Sequence, residues 1–138
     1  MILVTGGAFQ GKGKFARDLV CQKQKHKTPQ TILVSEAAAL QRKNAELQNG
    51  VHPDIILGIH QWIRILLESG KDPVVMVQEL LDLNPHAVFT MDQVGCGVVP
   101  LEAFDRKYRE TVGRIGCNIA RQAEEVYLLN CGLARRIK

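Results

Sequence analysis

The chain has 138 residues, of which 46% are hydrophobic and 23% charged, and its formal net charge is +4. That length suits a single domain over residues 1–138, large enough to bury about two-thirds of its unfolded surface. No run reaches transmembrane length, and the N-terminus lacks a basic segment and a cleavage site, so a cytoplasmic protein without membrane contact is expected.

Met1 to Ala16 reads MILVTGGAFQGKGKFA. Ile2, Leu3 and Val4 form a short apolar run, Gly6 and Gly7 break it, and Phe15, Ala16, Leu19 and Val20 recur at helical spacing. Strand, glycine-rich loop and helix is the setting in which the pattern G-x-x-x-x-G-K-[ST] has physical meaning. The glycines let backbone N–H groups turn inward around a phosphate, and the helix N-terminus adds positive partial charge. Gly6, Gly7, Ala8, Phe9, Gln10, Gly11 and Lys12 fit the pattern, and Lys12 is the mobile cation for the outer phosphates. The eighth place, where a Ser or Thr hydroxyl ligates magnesium, holds Gly13. A frame shifted to Gly13-Lys14 puts Ala8 in the first glycine place and Phe15 in the hydroxyl place. A glycine-rich turn that binds nothing is the plainer alternative. Glycine weakens a helix where its first turn must form, however, so a phosphate-binding loop is expected, with a weakened metal site. Lys12 is expected to face solvent.

The lysines at 23, 25 and 27 carry no interleaved aromatics and read as a solvated helix end, not a nucleic-acid surface. Thr31 to Ser35 predicts a second buried strand, and Glu36 to Leu47 a helix closed by Asn49-Gly50. Pro53, Ile55, Ile59, Trp62, Ile63 and Leu66 predict one amphipathic helix, stopped by Ser69-Gly70. Asp72-Pro73 is an N-cap followed by proline, opening a helix through Leu83. Asn84-Pro85 breaks it, and His86 to Met91 predicts a third strand. Asp92 to Pro100 is a glycine-containing loop at that strand's carboxyl end, where ligands bind in open α/β sheets. Pro100 is expected to start the longest helix, with Leu101, Phe104, Tyr108, Ile115 and Ile119 as its apolar stripe. Glu102/Arg106, Asp105/Arg109 and Glu110/Arg114 are acid-to-base pairs at i,i+4 on its other faces. Val126 to Leu129 is a fourth strand, and Ala134 to Lys138 a short edge strand. Cys21, Cys96, Cys117 and Cys131 are widely spaced without a C-x-x-C pair, so buried reduced thiols are expected, not zinc ligands or disulfides. Alternating strand and helix imply an α/β fold of the P-loop NTPase type, a mostly parallel sheet with helices on both faces.

The opening ILVTGGAFQGK, the loop DQVGCGVVP and the terminal run RKYRETVGRIGCNIARQAEEVYLLNCGLARRIK resemble the bifunctional adenosylcobinamide kinase/adenosylcobinamide-phosphate guanylyltransferase family of cobalamin biosynthesis. Val94, Gly95, Gly97, Val99 and Pro100 match that family's N-E-V-G-x-G-I-V-P loop. Arg109, Gly113 and Arg114 match its R-D-x-x-G-R-x-N-Q helix, and Glu125, Val126, Gly132, Ile137 and Lys138 match its tail. The resemblance implies ATP or GTP as the nucleotide, Mg2+, a corrinoid acceptor and a homotrimer.

The departures fall where chemistry would. Gly13 replaces a hydroxyl, Asp92 and Gln93 stand for Asn and Glu, and Gly116 and Cys117 replace the Asn-Gln pair. The family is longer between the first and third strands, where it carries the histidine that receives GMP. His26, in QKQKHKTPQ, faintly echoes that histidine, but follows the P-loop helix directly. His52, His60 and His86 have no partner at ligand spacing and read as surface or satisfied core histidines, with His60 at a polar helix edge. Glu36 follows an apolar strand as a family I-L-L-E glutamate does, one residue out of frame; a helix-start glutamate favoured by the dipole explains it equally well. The resulting expectation is a phosphotransferase using Lys12, Glu36 and Asp92, with Asp92 holding magnesium and guanylyl transfer lost. The alternative is a nucleotide-binding regulatory or assembly protein without turnover.

Overall fold

The computed structural model describes residues 1–23, 28–34 and 52–138. The predicted helix at 36–47, Glu36 itself and His26 lie outside the described residues. Among them, the chain forms β1 (Ile2–Gly6), α1 (Lys12–Lys23), β2 (Thr31–Leu33) and β3 (Ile55–Leu57). Then come α2 (Ile59–Glu68), α3 (Pro73–Leu83), β4 (Val88–Asp92), α4 (Ala103–Gln122), β5 (Glu125–Asn130) and β6 (Leu133–Arg136).

The strands make one sheet in the order β2-β3-β4-β1-β5-β6. Every pairing is parallel except β5 with β6, which the short turn at Cys131-Gly132 makes antiparallel. β1 therefore has parallel neighbours on both edges, Thr5 lying opposite Met91 and Leu128. Alternation along the strands divides the core. Ile2, Val4, Ile55, Val88 and Leu129 pack with Ala16, Leu19 and Val20 of α1. Leu3, Ile56, Phe89, Met91 and Val126 pack against α2, α3 and α4 on the opposite face. Helices thus cover both faces, as the sequence predicts.

Several predicted features change. β2 is not a buried strand: it ends the sheet with one pairing partner, and Thr31 and Leu33 are exposed. Ile55–Leu57 is a buried strand, not the start of the Trp62 helix, because Gly58 adopts φ 80° and separates the two. A continuous apolar run does not distinguish a buried parallel strand from a buried helical turn. Leu101 is 94% exposed and lies outside the stripe, because α4 begins at Ala103. All four cysteines are exposed rather than buried. The Asp72 cap forms as expected, its carboxylate accepting from the Val74 N–H at 2.8 Å with Pro73 following.

Gly6 ends β1 at φ 150°, and a Cβ there would stand 2.3 Å from the Leu129 carbonyl oxygen. Gly6→Ala is therefore expected to lower unfolding stability by roughly 2–4 kcal/mol, combining backbone strain with a clash against rigid backbone. Denaturant titration of the variant beside the parent checks this.

Candidate nucleotide site

The carboxyl ends of β1 and β4 meet beneath the glycine-rich loop. Gly7 and Gly11 frame it, Gly11 at φ 84°, and Phe9 projects fully into solvent at its tip with φ 57°. Gln10 ties the loop to the β5–β6 turn, its side-chain carbonyl accepting from the Cys131 N–H. The helix begins with the Phe15 N–H donating to the Gly11 carbonyl at 3.0 Å, so earlier N–H groups precede the first intrahelical bond. A cavity of about 210 Å³ lies over Phe9, Gln10, Gly11, Lys12 and Gly13, with Leu57 and Thr90 as its floor.

Lys12 is not solvent-facing. Its side chain is 8% exposed, and Nζ lies 2.7 Å from Oδ1 of Asp92. Nζ also donates to the Gly7 carbonyl at 2.5 Å. The burial follows from geometry: Lys12 opens α1 and reaches back across the end of β1 to the strand beside it. Asp92 ends β4 in register with Gly6, so the pair bridges the loop and the neighbouring strand.

His60 is the residue that sequence reasoning passed over. It sits in the first turn of α2, with its Nδ1 accepting the Asp92 backbone N–H at 3.1 Å. The proton of the neutral ring therefore lies on Nε2, which is 3.5 Å from Oδ2 of Asp92. Burial lowers the His60 pKa from its ordinary 6.5; Asp92 opposes that shift and Lys12 reinforces it. Tyr108 of α4 fixes the turn by donating its hydroxyl to the His60 carbonyl at 3.0 Å. Burial raises the Tyr108 pKa, which keeps that donor protonated. Nothing in the spacing of His60 signals this role, because its partner is 32 residues away.

The described donors suit a magnesium ion thinly. Gly13 offers no side-chain oxygen, and the Thr90 hydroxyl already accepts from the Gly58 N–H at 3.1 Å. No three His, Cys, Asp or Glu among the described residues are arranged to hold a metal. Asp92 fits as one carboxylate beside phosphate and water, the sparse protein ligation that magnesium accepts. β3 is a second apolar strand, I-I-L, beside β4, and Gly58 follows it as the N-cap of α2.

The loop after β4 is held by α4. Arg109 donates to the carbonyls of Gly95 and Val98, and Arg106 to those of Pro100 and Leu101. Of the three predicted i,i+4 pairs, Glu110/Arg114 forms at 2.6 Å, while Asp105 pairs with Arg64 at 3.2 Å. No described helix is long and apolar enough to cross a membrane.

Residues 59–137, more than half of the chain, match the family model described as cobinamide kinase / cobinamide phosphate guanyltransferase. The bifunctional adenosylcobalamin biosynthesis protein CobU of Salmonella typhimurium (strain LT2) is similar at 28% identity over 80 residues. That alignment covers 56% of this chain and 44% of the relative, so the likeness spans less than half of the relative's length. The family match begins at α2, so it does not cover the glycine-rich loop.

Replacing Lys12 removes a positive charge that lowers the His60 pKa. In Lys12→Met the His60 pKa should rise, and in Asp92→Asn it should fall further, both readable by NMR titration of the ring. Because the folded pKa is depressed, His60 leaves stability full above its unfolded value of 6.5 and erodes it as pH falls through the folded value. Thermal midpoints of parent and His60→Gln should converge in that acid range.

Proposed function

From the membership of the chain in the cobinamide kinase / cobinamide phosphate guanyltransferase family, we propose that it binds a nucleoside triphosphate on its P-loop and phosphorylates adenosylcobinamide in cobalamin biosynthesis. The observation that carries this reading is the Lys12–Asp92 pair at 2.7 Å, at the meeting of the glycine-rich loop with β4. In the free protein Asp92 and the Gly7 carbonyl hold Lys12 back. A triphosphate entering the loop offers stronger negative charge, and Lys12 turns from Asp92 to the outer phosphates. Asp92, still held by the His60 ring, is then released toward the reacting groups.

Phosphoryl transfer depends on positioning and electrostatic stabilisation and requires no covalent enzyme intermediate. The hydroxyl oxygen of the aminopropanol arm forms the new bond to the γ-phosphorus as the bond to the β,γ-bridging oxygen breaks. Nucleoside diphosphate leaves, and the hydroxyl proton passes to the Asp92 carboxylate. Magnesium, when bound, would neutralise charge on the phosphates, with Asp92 as the carboxylate to hold it through water. Glu36 is the second proposed carboxylate. Guanylyl transfer is proposed to be absent, since that chemistry needs an imidazole within about 3–3.5 Å of the α-phosphorus. His60 is directed at Asp92 instead, through both ring nitrogens.

Gly13 gives a second reading its footing: without the hydroxyl, the chain is a nucleotide-binding regulatory or assembly protein that does not turn over. A homotrimer and a cytoplasmic location accompany either reading as proposals.

Calorimetric titration with ATP and GTP, with and without magnesium, followed by transfer from γ-labelled nucleotide to adenosylcobinamide, separates these. Lys12→Ala should weaken triphosphate binding by about tenfold to a hundredfold, the loss of a charge-assisted contact. Equal affinity in parent and variant would remove the P-loop reading. A Cβ at Gly13 meets only Arg17 and Leu57 atoms at 3.8 Å or more, so Gly13→Ser is accommodated. It should tighten the magnesium-dependent part of binding and raise any transfer rate. Incubation with α-labelled GTP should leave the protein unlabelled; acid-labile label lost on His26→Ala would restore guanylyl transfer.

A further inference from the structure

A second and larger cavity, of about 450 Å³, opens on the other face of the sheet, between α4 and the ends of β1, β4 and β5. Leu3, Met91 and Val126 form its floor, and Gly113, Gly116 and Cys117 of α4 its wall. Its volume is that of a small-molecule site. Asp92 is the sole charged residue lining it, with Thr5 and Gln93 as further polar groups and no lysine or arginine. Asp92 thus lines this cleft, and its carboxylate pairs with Lys12, which lines the P-loop cavity.

The small wall is not a packing requirement throughout. A Cβ at Gly116 would stand 2.4 Å from Cε of Met91, so that glycine lets the methionine lie under the helix. A Cβ at Gly113 would meet nothing within 4 Å. A glycine in a helix interior is destabilising relative to alanine. Packing therefore does not account for Gly113, which lines the cleft.

We propose that this cleft is the acceptor site, taking a neutral or cationic aliphatic alcohol with its alkyl body along Gly113 and Cys117 and its hydroxyl at Asp92. The proposal rests on the phosphotransferase reading above, and adds which face of the sheet receives the acceptor and which charge it refuses. A corrin macrocycle exceeds the cavity, so the cleft takes the side arm and leaves the ring outside.

The exposed cysteines supply the test. Cys96 and Cys117 line the cleft. Cys131 sits beside the P-loop through Gln10, and Cys21 on α1 serves as reference. Rates of alkylation by iodoacetamide are read at each cysteine by mass spectrometry, with adenosylcobinamide, ATP or inorganic phosphate present. Adenosylcobinamide at about ten times its Kd should slow Cys117 roughly tenfold, as the unliganded fraction falls. ATP alone and phosphate should leave Cys117 unchanged. Gly113→Leu should abolish the protection by adenosylcobinamide, with an equal or higher thermal midpoint and an unaltered heat of ATP binding. Ala120→Leu, on the same wall, is the second blocking variant should the first fail to fold. Protection of Cys117 by ATP alone, no protection by adenosylcobinamide, or equal protection in a folded blocking variant would overturn the proposal. A chain that binds no nucleotide yet shows Gly113-dependent protection would overturn the phosphotransferase reading and support the cleft as a site for the corrinoid arm.

Discussion

β1 is hydrogen-bonded along both edges and ends on a residue that tolerates no side chain. Gly6 passes the Leu129 carbonyl too closely for a Cβ, and from there the chain turns into the loop and α1. The parallel partners β4 and β5 fix where that turn occurs, and the Gln93 N–H closes onto the Gly6 carbonyl at 2.9 Å. The P-loop, the Asp92 carboxylate and the floor of the α4 cleft all take their positions from this strand. A shift of one residue in its register would exchange the residues facing α1 with those facing α4.

The electrostatics follow from the same crossing. Lys12 and Asp92 belong to separate elements, and the sheet register brings them together in a partly buried site. Removing a lone charge from water is costly, so each is stable there because the other is present. His60 adds a neutral ring that holds the Asp92 backbone and approaches its carboxylate. Burial and the nearby lysine lower its pKa despite that carboxylate. A protonated ring would set a second cation beside Lys12.

α4 serves three purposes along its length. Its first turns hold the loop after β4 through Arg106 and Arg109, Tyr108 secures the turn that carries His60, and its small residues open the cleft. Arg64 lies over the rings of Phe104 and Tyr108, at 5.4 and 5.3 Å, which adds cation–π attraction between α2 and α4. The helix that belongs to the family match thus borders a site whose glycine-rich loop lies outside that match.

Local signals determined much of this protein. Short apolar runs marked β1, β4 and β5, the Asp72-Pro73 pair marked the start of α3, and the strand-loop-helix pattern marked the P-loop. Those features depend on residues close in sequence, where turn chemistry, capping and periodicity act. The loop after β4 and the terminal run also made the family legible, and both lie within the match over residues 59–137. Tertiary structure decided the rest. Ile55–Leu57 became a strand because an open edge of β4 was available to it, a choice that no apolar run declares by itself. Lys12 was buried because Asp92 arrived from a distant strand to pair with it. His60 gained its place for the same reason: its spacing to neighbouring residues is ordinary, and only sheet register and the packing of α2 bring it to Asp92.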